Sequence, residues 1–158
     1  MSLELATTAD EATPQVCARP LVESDASNLA SLMFNAYKGT TDDEGELFES
    51  AVAEVRRTFD GGYGPMIWEA SFVALAQQAP LVFASASVIA LWKGAPLLAF
   101  SMTQPALKRR GFAIGLVRSS ARVLSTLGYR TLALVVTRGN VPAERLYERL
   151  GFKDVAIS

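Results

Sequence analysis

The stretch NVPAERLYERLGF, residues 140–152, carries the clearest local pattern in the chain. Asn140 is a preferred residue for capping the start of a helix, and Gly151 is a typical helix terminator. Between them, four residues recur at helical spacing on one side: Ala143, Leu146, Tyr147 and Leu150. The pattern predicts a short amphipathic helix that carries a single tyrosine among its apolar residues.

A second informative stretch, PALKRRGFA at residues 105–113, lies between a predicted strand at residues 97–103 and a helix within residues 106–129. Gly111 and Ala113 leave the backbone uncovered at the helix start, where free N–H groups attract anions. Three cations, Lys108 to Arg110, add positive charge there. The stretch predicts a phosphate-binding loop, although basic residues before a helix also occur as a solvated turn. The stretch matches the dinucleotide-binding motif only incompletely and lacks the P-loop motif.

The rest of the chain contains no internal repeat, and its patterns predict a single series of strands and helices. An edge strand at residues 15–21 is followed by helices at residues 24–37 and 43–59. Three strands then follow within residues 68–103, and their short turns predict antiparallel pairing. After the basic stretch come a helix, an apolar strand at residues 130–137, the tyrosine-bearing helix and a last strand at residues 152–158.

Length and composition limit the possible classes of protein. A chain of 158 residues, half of them hydrophobic, fits one domain. We assign residues 1–14, which contain no Lys or Arg, to a mobile tail and residues 15–158 to the domain. A net charge of -1 argues against a nucleic-acid partner. The uncharged run at residues 70–92 is interrupted by Gln77, Gln78 and Pro80, so we interpret it as a hairpin and expect no membrane partner.

Histidine is absent and Cys17 is the single cysteine. The chain therefore lacks Ser-His-Asp and Cys-His catalysis and histidine metal sites, and no metal is expected. A lone cysteine cannot close an internal disulfide, which favours the cytoplasm as the compartment. Cys17 is expected to be inert core, and Ser119 and Ser120 have no base that would make them nucleophiles.

Together the two stretches resemble the GNAT family of acetyl-CoA-dependent N-acetyltransferases. PALKRRGFA resembles the family's Pro-x-x-Arg-x-x-Gly-x-Gly/Ala segment, and NVPAERLYERLGF matches Asn-x-x-Ala-x-x-Leu-Tyr-Glu-x-x-Gly-Phe at each fixed position. The resemblance is sharpest over residues 97–155. It implies an α/β fold with a central, mixed, mostly antiparallel sheet flanked by helices, in which one parallel pair of strands splays apart.

The resemblance also implies where acetyl-CoA, the acyl donor, would bind. Its diphosphate would lie on the basic loop, and its pantetheine arm would run along the preceding strand like an added strand. Asn140 would line the slot between the splayed strands. The implied cofactor-binding residues are Met102, Thr103, Gln104, Lys108, Arg109, Arg110, Gly111, Phe112, Ala113, Asn140 and Ala143.

Within this resemblance Tyr147 is the candidate general acid. Transfer of an acetyl group from a thioester to an amine expels a thiolate, and a phenol with a pKa of about 10 can donate a proton or a hydrogen bond to a thiol whose pKa is about 8.5. Most helical tyrosines instead pack on an apolar face with the hydroxyl reaching the surface, which is the alternative interpretation of Tyr147.

The acceptor implied by the resemblance is a primary amine, either a small molecule or a peptide. The sequence does not identify the general base that would deprotonate this amine. Some family members place a carboxylate on the strand that is LLAFSMT here, which contains none. Acidic candidates for attracting the amine are Asp42, Asp43, Glu44, Glu46 and Glu69, which otherwise act as a helix cap and solvated surface. Tyr37, Tyr63 and Trp68 are candidate walls of the acceptor pocket, and they are equally typical of core edges.

Three other hypotheses stay open at this point. The first is an acetyltransferase that acts on protein N-termini or lysines. The second is a non-catalytic module that binds acyl-CoA. The third is a nucleic-acid-binding protein that uses Lys108 to Arg110. The frequency of dimers in such families also makes a homodimer a candidate assembly.

Overall fold

The computed structural model describes residues 1–5, 18–37, 47–76, 79–135 and 141–153, with the backbone alone at 79–81. The strands are β1 (Ser2–Glu4), β2 (Ala18–Pro20), β3 (Phe72–Ala76), β4 (Ala79–Trp92), β5 (Ala95–Thr103) and β6 (Thr131–Leu134). The helices are α1 (Ala26–Tyr37), α2 (Phe48–Phe59), α3 (Phe112–Thr126) and α4 (Val141–Arg149). Short 3-10 turns cover Glu23–Asp25, Trp68–Ala70 and Pro105–Leu107.

The described strands form one sheet in the order β1-β6-β5-β4-β3-β2. Each neighbouring pair is antiparallel except β5 and β6, which run parallel. The tight turn between β4 and β5 has Lys93 and Gly94 both at positive φ, 50° and 84°, which matches the two-residue hairpin turns that suit twisted strands. The predicted mixed, mostly antiparallel sheet flanked by helices is confirmed.

Two hydrophobic cores lie against the sheet. In the first, α1 and α2 cover strand residues that include Val73, Val88 and Met102. In the second, α3 packs against Ile89 and Leu98, together with β6 and the residues that follow α4. Burying one such Leu, Val or Ile side chain contributes about 1.5–3 kcal/mol, so the central strands are held firmly on both faces.

The beginning of the chain differs from the expected mobile tail. Ser2–Glu4 pair with β6, and Ser2 also exchanges backbone hydrogen bonds with Lys153. The physical reason is the alternation of Met1, Leu3 and Leu5, which pack against the second core. Residues 6–14 lie outside the described residues, as do Cys17 and residues 154–158 of the predicted last strand.

Two other boundaries are corrected by the structure. Leu47 falls inside the helix predicted at residues 43–59, but it precedes α2 and is 69% exposed. Trp68–Ala70, expected to begin a strand, form a 3-10 turn in which the N–H of Ser71 donates to the Trp68 carbonyl. None of the described helices has the length and hydropathy that crossing a bilayer requires.

Candidate functional site

The parallel strands β5 and β6 pair over a short distance only. Their register joins Leu97 to Ala133 and Leu98 to Leu134. Beyond Leu98, β5 continues to Thr103 with β4 alone as its partner among the described residues. The expected parallel pair is therefore present, and its splaying stays a prediction because residues 136–140 lie outside the described residues. No described strand pairs with the second half of β5 on the edge away from β4, and we call the space along this edge the gap.

A β-bulge lies where this pairing ends. Opposite β5, Val88 pairs with Phe100 and Ile89 pairs with Leu98, so Ala99 is an extra residue on β5. A bulge bends its strand and increases the local twist. The bulge coincides with the point at which β5 stops pairing with β6 in the described residues.

The backbone of this half-strand has hydrogen-bonding groups directed into the gap. The N–H of Gln104 donates to the Ala84 carbonyl at 2.8 Å, which continues the β4 ladder past the end of β5. Because hydrogen-bonded and non-bonded pairs alternate along an antiparallel ladder, the N–H and C=O groups of Ser101 and Thr103 point away from β4. They form an edge on which an extended ligand can add like a strand.

The segment after β5 is anchored at its first residue. The Gln104 side-chain amide donates to the Phe83 carbonyl at 3.1 Å. Pro105–Leu107 then form a 3-10 turn, and left-handed φ angles follow at Arg109 (67°) and Gly111 (85°). A positive φ is costly at a non-glycine residue such as Arg109 and is typical of functional loops. Such a left-handed residue before a right-handed helix is the arrangement of an anion-binding backbone nest.

The start of α3 leaves its N–H groups without acceptors in the described part of the chain. The first intrahelical bond runs from the Gly115 N–H to the Gly111 carbonyl at 3.0 Å, and Gly111 supplies no side-chain cap. The N–H groups of Phe112, Ala113 and Ile114 donate to none of the described residues. These are orphan donors at the positive end of a 15-residue helix.

The side chains before α3 add charge of the same sign. Lys108, Arg109 and Arg110 are exposed, and none of them forms an ion pair with a described acidic residue. No acid lies in the first turn of α3 either. Free N–H groups and cations without an acidic partner among the described residues therefore follow the end of β5 directly, and the anion site stays a prediction.

Tyr147 lies on α4 against the second core. Its ring packs edge-to-face on Phe152, with 5.7 Å between ring centroids. Burial raises the pKa of Tyr147, and the Ser101 hydroxyl lowers it in part. The phenol therefore stays protonated at neutral pH and is a hydrogen-bond donor beside the gap.

The predicted acidic residues are not assembled near Tyr147 in the described structure. Asp42, Asp43, Glu44 and Glu46 lie outside the described residues, as does Asn140. Glu69 is exposed in the turn before β3, which is separated from β5 by β4. Ala143 is partly buried in the first turn of α4. The roles of all seven residues stay predictions.

The three aromatic residues predicted to line an acceptor pocket make different contacts. Tyr63 packs edge-to-face on Phe100, beside the bulge, with 5.9 Å between centroids. Its hydroxyl donates to Glu54 at 3.1 Å, and the Arg57 guanidinium lies 4.6 Å from its ring centroid. Burial, followed by the Glu54 carboxylate, raises the pKa of Tyr63.

Trp68 packs instead on Phe59, with 4.8 Å between centroids, and Tyr37 lies at the edge of the first core. Of the three predicted wall residues, Tyr63 is therefore the one that contacts β5 at the bulge.

Sequence reasoning missed Ser101. The signal was present as an alternation of hydroxyl residues, Ser85 and Ser87 in β4 and Ser101 and Thr103 in β5, which places one polar row on a single face of two paired strands. The described residues contain no group of three or more possible metal ligands. Ser119 and Ser120 have structural hydrogen bonds, to Gly115 and Ser87 respectively.

Comparisons with known proteins agree with this geometry. Residues 86–157 match the family model described as FR47-like protein. The PaiA N-acetyltransferase from Thermoplasma acidophilum, solved in complex with coenzyme A, has a TM-score of 0.71 at 16% identity over 92% of this chain and 94% of its own. No curated protein matches the sequence.

Two further solved structures share the fold. A GNAT family acetyltransferase from Brucella melitensis in complex with acetyl-CoA has a TM-score of 0.64 at 18% identity, covering 89% of this chain and 84% of its own. AAC(6')-Iy in complex with the bisubstrate analogue CoA-S-monomethyl-acetylneamine has a TM-score of 0.65 at 16% identity, covering 92% and 95%. The GNAT fold and the resemblance that predicted it are confirmed.

Proposed function

We propose that this chain is an N-acetyltransferase that transfers the acetyl group of acetyl-CoA to a primary amine by direct attack in a ternary complex. The observation that carries the proposal is the set of free N–H groups and unpaired cations at the start of α3, directly after a strand edge open to the gap. Structures with this fold have been solved with coenzyme A and acetyl-CoA, which supports the same donor here.

The binding residues fit a diphosphate joined to an extended amide-containing arm. The N–H groups of Phe112 and Ala113 and the side chains of Lys108 to Arg110 would hold the diphosphate, since donors at a helix start bind phosphate without a metal. The edge of Ser101 and Thr103 would hydrogen-bond the amides of the arm. Gln104 anchors the start of the loop to the Phe83 carbonyl of β4 and so would set the spacing between the two subsites.

Tyr147 would act where charge develops on the departing sulfur. The donor supplies an acetyl group activated as a thioester. A phenol whose pKa is raised above its usual value of about 10 cannot fully give its proton to a thiolate of pKa about 8.5 without a cost. Donation of a hydrogen bond, strengthening as the C–S bond breaks, is therefore the main expected contribution of Tyr147.

The acceptor must reach the gap as a neutral amine. The residues around the gap favour one chemical class of amine. A small amine or an amino-acid derivative would enter between the early helices and the bulge, where Phe100 and Tyr63 form an apolar wall. Glu69 and the acids at 42–46 would attract its cationic form. A peptide N-terminus or lysine is the competing acceptor, and AAC(6')-Iy with its bisubstrate analogue supports the small-molecule alternative.

The first test is binding followed by transfer. Coenzyme A should raise the melting temperature progressively with concentration, because a ligand that binds only the folded state stabilises it by RT ln(1 + [L]/Kd). Acetyl-CoA with pooled amines and peptides should then release free thiol, and mass spectrometry of the products would separate the two acceptor classes.

The tyrosine supplies the discriminating variant. Tyr147→Phe should lower kcat by roughly 100-fold while the Kd for coenzyme A changes less than about twofold, since one positioned acid contributes 10²–10⁴-fold. Tyr129→Phe is the matched control, because Tyr129 packs on the same core. Binding of coenzyme A with no transfer to any acceptor would instead identify a non-catalytic binding module, and full activity in Tyr147→Phe would remove Tyr147 from the mechanism.

A further inference from the structure

The segment that joins α2 to β3 carries an aromatic ring across β4 to the candidate site. The Ile67 N–H donates to the Ile89 carbonyl at 3.0 Å, which fixes the segment to the edge of β4. At Gly64 the approach to this strand is so close that a Cβ would collide with the Leu91 carbonyl oxygen. The backbone beside Tyr63 is therefore held in one position.

Helix α2 holds the other end of the Tyr63 side chain. The Tyr63 hydroxyl donates to the Glu54 carboxylate at 3.1 Å, and the same carboxylate accepts Nε and Nη2 of Arg57 at 3.2 and 3.0 Å. The Arg57 guanidinium lies 4.6 Å from the Tyr63 ring centroid. These contacts fix the orientation of the ring and pair the negative charge of Glu54.

The Tyr63 ring lies between two others, and we call Tyr63, Trp92 and Phe100 the aromatic cluster. Its centroid is 5.9 Å from that of Phe100, at an interplanar angle of 83°, and 6.4 Å from that of Trp92. Phe100 directly follows the bulged Ala99 on β5, and Trp92 is 43% exposed at the end of β4. The cluster therefore extends from the bulge to the surface, with ring spacings into which a further aromatic ring packs well.

The charges around the aromatic cluster favour an apolar occupant. The Lys93 Nζ lies 5.4 Å from the Trp92 ring centroid, and Arg57 lies over Tyr63. These two cations occupy ring faces that would otherwise attract the positive charge of a ligand. Because Glu54 is paired, the cluster suits an aromatic body and disfavours additional ammonium groups.

We propose that Tyr63 is a specificity-determining residue that selects an arylalkylamine, a primary amine joined to an aromatic ring by a short chain. The inference rests on the proposed function and names the class of its acceptor. The ring of the acceptor packs on Tyr63 between Phe100 and Trp92, and the short chain directs the amine past the bulge into the gap. An acceptor with several ammonium groups, such as a polyamine, is disfavoured by Arg57 and Lys93.

Two primary amines of similar length test this selection. The kcat/KM for 2-phenylethylamine should be about fivefold above that for hexylamine in the wild-type chain, as one additional aromatic pair predicts. Tyr63→Leu should remove the preference, mainly by raising the KM for 2-phenylethylamine. Tyr63→Phe keeps the ring and should retain the preference.

Phe59→Leu is the matched control, because it also removes one ring of an edge-to-face pair in the first core, a pair that contains no β5 residue. It should change kcat/KM for both amines by the same factor. An equal loss for both amines in Tyr63→Leu would overturn the inference and leave the proposed function standing. A higher kcat/KM for spermidine than for 2-phenylethylamine in the wild-type chain would do the same.

A binding measurement needs no acetyl transfer. Trp68→Phe leaves Trp92 as the single tryptophan of the chain. Titration with 2-phenylethylamine, with and without coenzyme A, should shift the Trp92 emission saturably to shorter wavelength, because the bound ring removes the exposed indole from water. Tyr63→Leu in the same background should raise the Kd about fivefold. A saturable shift would support the inference even if the chain acetylated nothing, and its absence under both conditions would overturn it.

Discussion

The helices α2 and α3 begin in opposite electrostatic surroundings. Helix α2 has Glu49 in its first turn and Arg56 and Arg57 in its last, as the helix dipole favours. Helix α3 has no acid in its first turn and is preceded by Lys108, Arg109 and Arg110. Neither helix has a side-chain N-cap, so the difference lies in the charge.

The difference separates a helix start that its own charges stabilise from one that we propose binds an anion. Positive charges beside the positive end of a dipole destabilise a helix by about 0.3–1 kcal/mol each at exposed sites. Helix α1, whose start follows Asp25, agrees with α2. A bound anion would offset the unfavourable charges at α3, and the following predictions change one helix start toward the other.

The largest effect is expected from giving α3 the acid that α2 has. Ala113→Glu places a carboxylate at the second helical residue, the position of Glu49 in α2. Two unit negative charges about 5 Å apart repel by roughly 3 kcal/mol at an effective dielectric of 20, so the Kd for coenzyme A should rise on the order of 100-fold. The unliganded variant should meanwhile unfold at higher denaturant concentration.

Ala113→Gln is the control for this change, because it has the same size without the charge. The Glu variant should be more stable than the Gln variant by about 0.3–1 kcal/mol and should bind coenzyme A far more weakly. Equal affinities in calorimetry for the two variants would show that the diphosphate does not lie on these N–H groups.

A smaller effect is expected from removing the cations. Lys108→Ser, Arg109→Gly and Arg110→Ser together should weaken coenzyme A binding by about 30-fold, at roughly 0.5–1 kcal/mol for each exposed charge. Glycine at 109 keeps the left-handed backbone without cost, so the loop geometry is preserved. The dependence of Kd on salt should flatten in parallel, since fewer charges attract the phosphates.

Arg56→Ser, at the opposite end of α2, is the matched control and should leave the Kd unchanged. Wild-type affinity and salt dependence in the triple variant would mean that the backbone alone holds the anion and that the charge contrast between α2 and α3 has no role in binding.

Local patterns predicted those parts of the fold that depend on neighbouring residues. The helix containing Tyr147 and the glycine-bounded start of α3 follow from capping residues and apolar spacing within about a dozen positions. The parallel strand pair followed from the resemblance rather than from strand patterns, because register between distant segments is set by tertiary contacts.

The missed features all depend on pairs far apart in sequence. Ser2–Glu4 pair with β6, more than a hundred residues later, and three residues of alternating pattern are too few to predict a strand. The bulge at Ala99 arises in the pairing of β4 with β5, and a bulge of one small residue leaves no clear sequence signal.

The smallest effect concerns Asp25, the acid that precedes α1. Its carboxylate pairs with Arg19 through two contacts of 2.8 Å and accepts the Val22 N–H at 2.9 Å. Desolvation opposes the charged form, but the hydrogen bond from Arg19 and the Val22 N–H outweigh it and hold the pKa of Asp25 below its usual value. Asp25→Asn should therefore reduce the free energy of unfolding at neutral pH by about 1–2 kcal/mol.

The pH dependence of this loss gives the decisive measurement. A lowered pKa in the folded state means that the ionised Asp25 stabilises the protein above its unfolded pKa of about 3.8 and loses that contribution as the pH falls through the folded value. Urea unfolding of wild type and Asp25→Asn, followed by tryptophan fluorescence, should therefore converge below about pH 4. Glu23→Gln in the same 3-10 turn is the matched control, because Glu23 is exposed, and its difference from wild type should be small at every pH. A difference for Asp25→Asn that persists unchanged into acid would show that the carboxylate's charge does not stabilise the start of α1, and the contrast with α3 would then rest on Glu49 alone.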